Sequence, residues 1–211
     1  MTKYEGDLWS LAIKSTEQAD HEKALRCCIG VCDCLQQMHE KGFVHGDLKL
    51  LNVLFKGNTG FVSDFGFCSE VEKPILHTGT VLYQAPEKVF NLSRKLDKSM
   101  DMFSFGIMLL GIVDRNRYLQ WRKDIEELKR ITTSRGSVPE NREAMYKKYC
   151  DLHSKLMADL AKSSDPICTD LIFPLLNFDP TKRPTIGEAK ATFTRLLRER
   201  QEAHPLPPAQ P

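Results

Sequence analysis

Between Met102 and Val113 the chain reads MFSFGIMLLGIV, twelve residues without a charge. A helix needs about 20 apolar residues to cross a bilayer. The stretch is therefore too short to span one and reads as the buried helix of a protein core. A helix that is apolar all round needs packed neighbours all round. The flanking sequence provides them. Residues 18–41 place Leu25, Cys28, Ile29, Cys32, Leu35 and Met38 at three-and-four spacing, one buried face of a helix that Gly42 stops. Further helices are predicted over Leu96–Val113, Trp121–Ile131, Arg142–Leu160, Thr169–Leu176 and Ile186–Arg200. Pro139, Pro166, Pro174, Pro180 and Pro184 fall near their boundaries, where a missing N–H costs least.

Strand-like segments are few. FVH (43–45), VLF (53–55) and FVS (61–63) are short β-type runs, and KGNTG joins the last two with the composition of a hairpin turn. From Gly66 to Pro86 neither period is sustained, which is long for a connection inside one domain and marks a functional loop. The expectation is a mainly α domain over residues 1–200 carrying one short hairpin. The proline-rich residues 201–211 read as a disordered tail.

A formal net charge of +2 gives no electrostatic case for nucleic acid or an anionic membrane. The opening MTKYEGDLWS lacks the basic-then-apolar pattern of a signal peptide, so a cytoplasmic location is expected. Seven cysteines without framework spacing argue for reduced thiols. Four of them, Cys27, Cys28, Cys32 and Cys34, read as packing on the first helix rather than as a metal site.

The chemistry concentrates in His45-Gly46-Asp47-Leu48-Lys49-Leu50-Leu51-Asn52, a turn between two strand-like runs. Asp64-Phe65-Gly66 lies twelve residues beyond Asn52, and Gly79-Thr80-Val81-Leu82-Tyr83-Gln84-Ala85-Pro86-Glu87 follows. Asp101-Met102-Phe103-Ser104-Phe105-Gly106 and Asp179-Pro180-Thr181-Lys182-Arg183-Pro184-Thr185 complete the series. In this order the five segments resemble the catalytic loop, the D-F-G element, the end of the activation segment, the central helix and the R-P-T element of protein kinases. The match covers roughly residues 4–200.

The resemblance implies ATP and Mg²⁺ as cofactors, with Asp47 as the base for a protein hydroxyl and Asn52 and Asp64 as metal ligands. One carboxylate and one amide oxygen suit Mg²⁺, which is otherwise held by phosphates and water. Lys49, two residues after Asp47, resembles the lysine with which serine/threonine kinases stabilise the transferring phosphoryl group. Asp101 would hold the catalytic-loop backbone, Glu87 and Arg183 would form a structural ion pair, and His45, Phe65 and Thr80 would be supporting residues. Tyr4-Glu5-Gly6-Asp7-Leu8-Trp9 resembles the segment after the hinge between kinase lobes, which makes Asp7 the candidate for ribose and Leu54 an adenine-facing residue exposed on the cleft floor.

Gly46 stands where many protein kinases have an arginine that neutralises a phosphorylated activation loop, a contact glycine cannot make. Phosphorylation at Thr78 or Thr80 is accordingly not expected to be the main switch. No G-x-G-x-x-G loop and no lysine strand of the V-A-I-K type occurs in these residues, so the resemblance is to the helical lobe with the N-terminal lobe absent. Three readings follow. One is a serine/threonine kinase acting on protein substrates, with a partner or further chain supplying the missing lobe. The second is a kinase-like module that binds proteins without catalysis. The third is a small-molecule phosphotransferase, which shares the H-G-D-L-x-x-x-N form but generally lacks the A-P-E platform and R-P-T element and favours histidine at the Lys49 position.

Overall fold

The computed structural model describes residues 3–75, 79–133 and 138–203, with the backbone alone over 131–133 and 138–141. At its centre is α3 (Lys98–Val113), in which every residue from Met100 to Ile112 is buried. It is enclosed by α1 (Gln18–Glu40), α4 (Arg115–Thr133), α6 (Phe173–Leu175) with the wide helical turn Ile167–Ile172, and the segment Val81–Tyr83. The long helices α5 (Val138–Leu160) and α7 (Ile186–Ala203) form the outer layer, packed on α4 and α1 respectively. The short α2 (Pro86–Val89) completes the helices. The architecture is mainly α, as the periodicities require.

Two small antiparallel sheets cap one end of this bundle. The first has strand order β1 (Gly6–Asp7), β3 (Val53–Lys56), β4 (Thr59–Val62), and the second pairs β2 (Phe43–Val44) with β5 (Ser69–Glu70). β3 and β4 pair Lys56 with Thr59, so Gly57 and Asn58 alone make the turn, with Gly57 at φ +57°. The hairpin lies directly on α1. Gly30 of the helix and Gly60 of β4 face each other so closely that a Cβ on either would overlap backbone of Gly60 or Cys27. That pair lets helix and strand approach without side chains between them.

Aspartate side chains cap the starts of α3 and α4. Asp97 caps α3 by accepting the Ser99 N–H at 2.8 Å, which leaves Asp101, one turn on, free for another task. Differences from the sequence reading lie at boundaries. α4 begins six residues earlier than Trp121, because Asp114 accepts the Arg117 N–H and starts a new helix at once. α7 runs to Ala203 rather than 200, so the expected tail boundary moves, while 204–211 lie outside the described residues. The apolar periodicity did not reveal β1 or the turn Ser10–Lys14, both very short. Cys27, Cys28 and Cys32 are buried on α1 and Cys34 is half-buried, all as free thiols. Among the described residues no helix is long and apolar enough to cross a membrane, and no group of three or more His, Cys, Asp or Glu could hold a metal.

Candidate active site

The loop 45–52 is anchored from below by Asp101. Its Oδ2 accepts the His45 N–H at 2.8 Å and His39 Nε2–H at 3.0 Å, and its Oδ1 accepts the Gly46 N–H at 3.0 Å. Burial pushes this carboxyl up, but the hydrogen bond and charge of His39 and the two backbone donors outweigh it and hold Asp101 below the ordinary aspartate range. His45 is fully buried. Its Nδ1 accepts the Asp47 N–H at 3.3 Å, so Nε2 carries the proton and donates to the Ser63 carbonyl at 3.1 Å. The Phe65 ring lies 5.4 Å from the His45 ring, centre to centre, and is about half exposed.

Gly46 adopts φ +78°, and a Cβ there would stand 2.8 Å from the Phe67 carbonyl oxygen. Both facts favour glycine on backbone grounds alone. The turn delivers Asp47, only 5% exposed, into a hydrogen-bonded cluster. Asp47 Oδ2 accepts from Lys49 Nζ at 2.6 Å, and Oδ1 accepts the Thr80 N–H at 2.8 Å. Lys49 Nζ also donates to Thr80 Oγ1 at 3.0 Å. Asn52 Nδ2 donates to the Asp47 carbonyl at 2.9 Å, which turns its amide oxygen away as an acceptor. Asp47, Lys49, Asn52 and Thr80 are thus one network drawn from two loops.

Asp64 is exposed and takes the left-handed conformation, φ 61° and ψ 67°. Its neighbour Ser63 donates to the Asn52 carbonyl through both N–H (2.8 Å) and Oγ (3.0 Å), so β4 ties the Asp64 turn to the Asn52 turn. Asp7 and Leu54 stand opposite each other in the register of β1 and β3. The Asp7 carboxylate accepts the Ser10 N–H at 2.8 Å and caps the following turn. Leu54 is half-buried rather than exposed, because β1 and β4 flank its strand; the exposed apolar side chains near this end include Tyr4, Leu51, Phe61 and Phe65. Thr78 lies outside the described residues.

Glu87 and Arg183 meet away from Asp47 as a buried bidentate pair, with Nη1 to Oε1 at 2.6 Å and Nη2 to Oε2 at 2.8 Å. The other guanidinium donors reach the carbonyls of Asn177 (2.8 Å), Ser99 (3.0 Å) and Phe178 (3.3 Å), so all five N–H groups are used. The segment before Glu87 is fastened to the bundle: Ser104 Oγ donates to the Tyr83 carbonyl at 2.8 Å, Trp121 Nε1 donates to the Leu82 carbonyl at 3.2 Å, and the Tyr83 and Tyr118 hydroxyls are 2.7 Å apart.

Three contributors escaped the sequence reading. His39 continues the series Cys28, Cys32, Leu35 at helical spacing, a titratable residue on a buried face, and that signal could have found it. Ser63 was legible as the end of a strand run and as the residue before Asp64, with no role attached to its side chain. Lys88 carries no local signal, yet it is 5% exposed and donates to the Gly46 carbonyl at 2.8 Å.

Comparison with known proteins bears on the family of the chain. The family model for the protein kinase domain matches residues 2–193. The chain is 25% identical over 199 residues, 89% of its length, to cyclin-dependent kinase F-4 of Oryza sativa subsp. japonica, covering 43% of that protein. It is 28% identical over 169 residues, 74% of its length, to mitogen-activated protein kinase hog1 of Neosartorya fischeri, covering 46% of it. Over 110 residues, 52% of the chain, it is 32% identical to a probable serine/threonine-protein kinase of Encephalitozoon cuniculi, covering 21% of it. The chain spans less than half the length of these curated relatives. Because the kinase-domain model matches nearly the whole chain, the chain belongs to the eukaryotic-type protein kinase domain family.

Proposed function

We propose that this chain is the helical lobe of a protein serine/threonine kinase and carries the hydroxyl-activating half of its active site. The observation that carries the reading is the cluster in which Lys49 and the Thr80 N–H hold the buried Asp47 carboxylate at 2.6 and 2.8 Å. Asp47 would accept the proton of a substrate serine or threonine. Lys49 would balance negative charge on the phosphoryl group in transit, with Thr80 fixing both side chains. The Asn52 amide oxygen and the exposed Asp64 carboxylate fit a magnesium ion, since both are hard oxygens and Asn52 Nδ2 is already committed to Asp47. When bound with ATP, Mg²⁺ supplies neutralisation of the phosphate charge.

The segment fixed by Tyr83, Trp121 and the Glu87–Arg183 pair supports a protein substrate over a small molecule, because it offers an ordered surface beside Asp47. Thr80 already hydrogen-bonds through both N–H and Oγ1 to the Asp47–Lys49 pair. A phosphate there would bring negative charge against Asp47, which supports the reading that Thr80 is not an activating phosphosite. A phosphate-cradling loop and its lysine do not occur in these 211 residues, so the proposal assigns ATP-holding elements to polypeptide beyond them, in the same protein or a partner. That same feature, with Tyr4, Leu51, Phe61 and Phe65 exposed, favours the second reading, a kinase-like protein-binding module.

The test is phosphoryl transfer by the purified chain to a generic protein substrate with ATP and Mg²⁺. Because such catalysis consists of positioning and charge stabilisation, weak or no transfer is expected from the chain alone. Robust Mg²⁺-dependent transfer abolished by Asp47→Asn would contradict the need for outside ATP-holding elements. Complete dependence of activity on Thr78 and Thr80, rescued by a phosphomimetic at Thr78, would overturn the view that loop phosphorylation is not the main switch.

A further inference from the structure

We infer that Lys88 is a positioning residue for the candidate base, holding from α2 the peptide plane out of which Asp47 projects. The inference rests on the kinase reading of Asp47 and starts from a departure that Gly46 introduces. Gly46 has no side chain, so rotation about its φ and ψ is the softest in the loop. The peptide that follows it joins the Gly46 carbonyl to the Asp47 N–H in one rigid plane. Tilting that plane reorients the Cα–Cβ bond of Asp47.

The plane is held at both edges. On one, the Asp47 N–H donates to His45 Nδ1 at 3.3 Å, a long bond. On the other, Lys88 Nζ donates to the Gly46 carbonyl at 2.8 Å, and a charged donor makes that the stronger of the two. The preceding peptide is held separately, through the Gly46 N–H on Asp101. Lys88 is the one member of this set that comes from the activation-segment side.

A buried lysine is an expensive way to fill space. Lys88 is 5% exposed and forms no ion pair among the described residues. Burial lowers the affinity of its amine for a proton, and the charges of Asp101 and Asp47 partly restore it. The void beside it, lined by Val44, Ala85, Leu96 and Met100 together with the polar Gln84, Asp101 and Ser104, is about 10 Å³, the lower limit for a single water. An apolar residue there would avoid desolvating an ammonium but would leave the Gly46 carbonyl without its donor, and the one hydrogen bond the ammonium makes among the described residues is to that carbonyl. It brings a charged donor to the backbone carbonyl of Gly46, the residue that stands where many kinases have an arginine.

The test reads the loop without ATP or substrate, so failure of phosphoryl transfer would leave it intact. Amide hydrogen exchange is compared in the full chain for wild type, Lys88→Met and Lys88→Arg. Lys88→Met is expected to speed exchange of the Asp47 amide and its neighbours by about tenfold or more, with the interior of α3 unchanged and Lys88→Arg restoring protection. Unchanged loop exchange in a folded Lys88→Met overturns the inference, and so does equal acceleration across α3, which marks a general structural role. Should Lys88→Met fail to fold, Lys88→Gln, with a neutral donor, is compared with Lys88→Arg: intermediate protection at Asp47 supports the inference, and identical protection in the two refutes the need for a cation.

Discussion

Replacing Arg183 by methionine removes the guanidinium while keeping most of the side-chain length. It leaves Glu87 charged, 5% exposed and without its bidentate partner, and takes the donors from the carbonyls of Asn177, Ser99 and Phe178. Breaking a buried pair by removing one partner costs about 3–5 kcal/mol. With a urea dependence of about 2 kcal/mol per molar for a domain of this kind, the unfolding midpoint should fall by roughly 1.5–2.5 M. The double variant Glu87→Met/Arg183→Met buries no unpaired charge, so it should be more stable than the Arg183→Met single variant by at least about 1 kcal/mol. Urea melts followed by circular dichroism check both. A loss below about 1 kcal/mol in the single variant, or a double variant that loses the sum of the two singles, would refute the claim that this pair is coupled and locks α2 to the end of the fold.

Other perturbations separate the remaining claims. Gly46→Arg, which puts back the residue many kinases carry, should destabilise by about 1–2 kcal/mol, because φ +78° and the Phe67 carbonyl oppose any side chain; an unchanged melting midpoint would show that the loop relaxes freely. Asp101→Asn turns one acceptor oxygen into a donor facing N–H groups and should lower stability by about 2–4 kcal/mol, with faster exchange at His45 and Gly46 as the local signature. Burial keeps the His153 imidazole neutral, its proton affinity below the ordinary histidine value of 6.5 despite its bond to the Leu176 carbonyl. The unfolded chain therefore takes up a proton first as pH falls, so stability should decline from about pH 6.5 downward until the folded-state histidine also protonates, and His153→Gln should flatten that slope in melts taken across the range.

What could be read from the sequence follows the range of the forces involved. The α1 face, the β3–β4 turn and the apolar α3 depend on neighbours within a few positions, and the pattern of residues displays them directly. The spacing from His45 to Asn52 likewise keeps its polar groups on one turn, whose geometry is local. Contacts such as Glu87 with Arg183, 96 residues apart, came only through resemblance, since no local pattern links them. Lys88 was invisible for a physical reason: a lysine in a four-residue helix looks solvated, and only the packing of α2 against Gly46 buries it. Leu54 was misjudged because β1, two residues long, was not foreseen and covers one side of its strand.

The central claim is that these residues form the hydroxyl-activating half of a serine/threonine kinase site. It is tested most directly by joining the chain to a kinase small lobe with a phosphate-cradling loop and its lysine, and measuring ³²P transfer from ATP to a protein substrate with Mg²⁺. The account predicts transfer onto serine or threonine that falls about 10²–10⁴-fold with Asp47→Asn while ATP binding persists. A joined protein that binds ATP yet transfers nothing, or transfers equally well with Asp47→Asn, would contradict it.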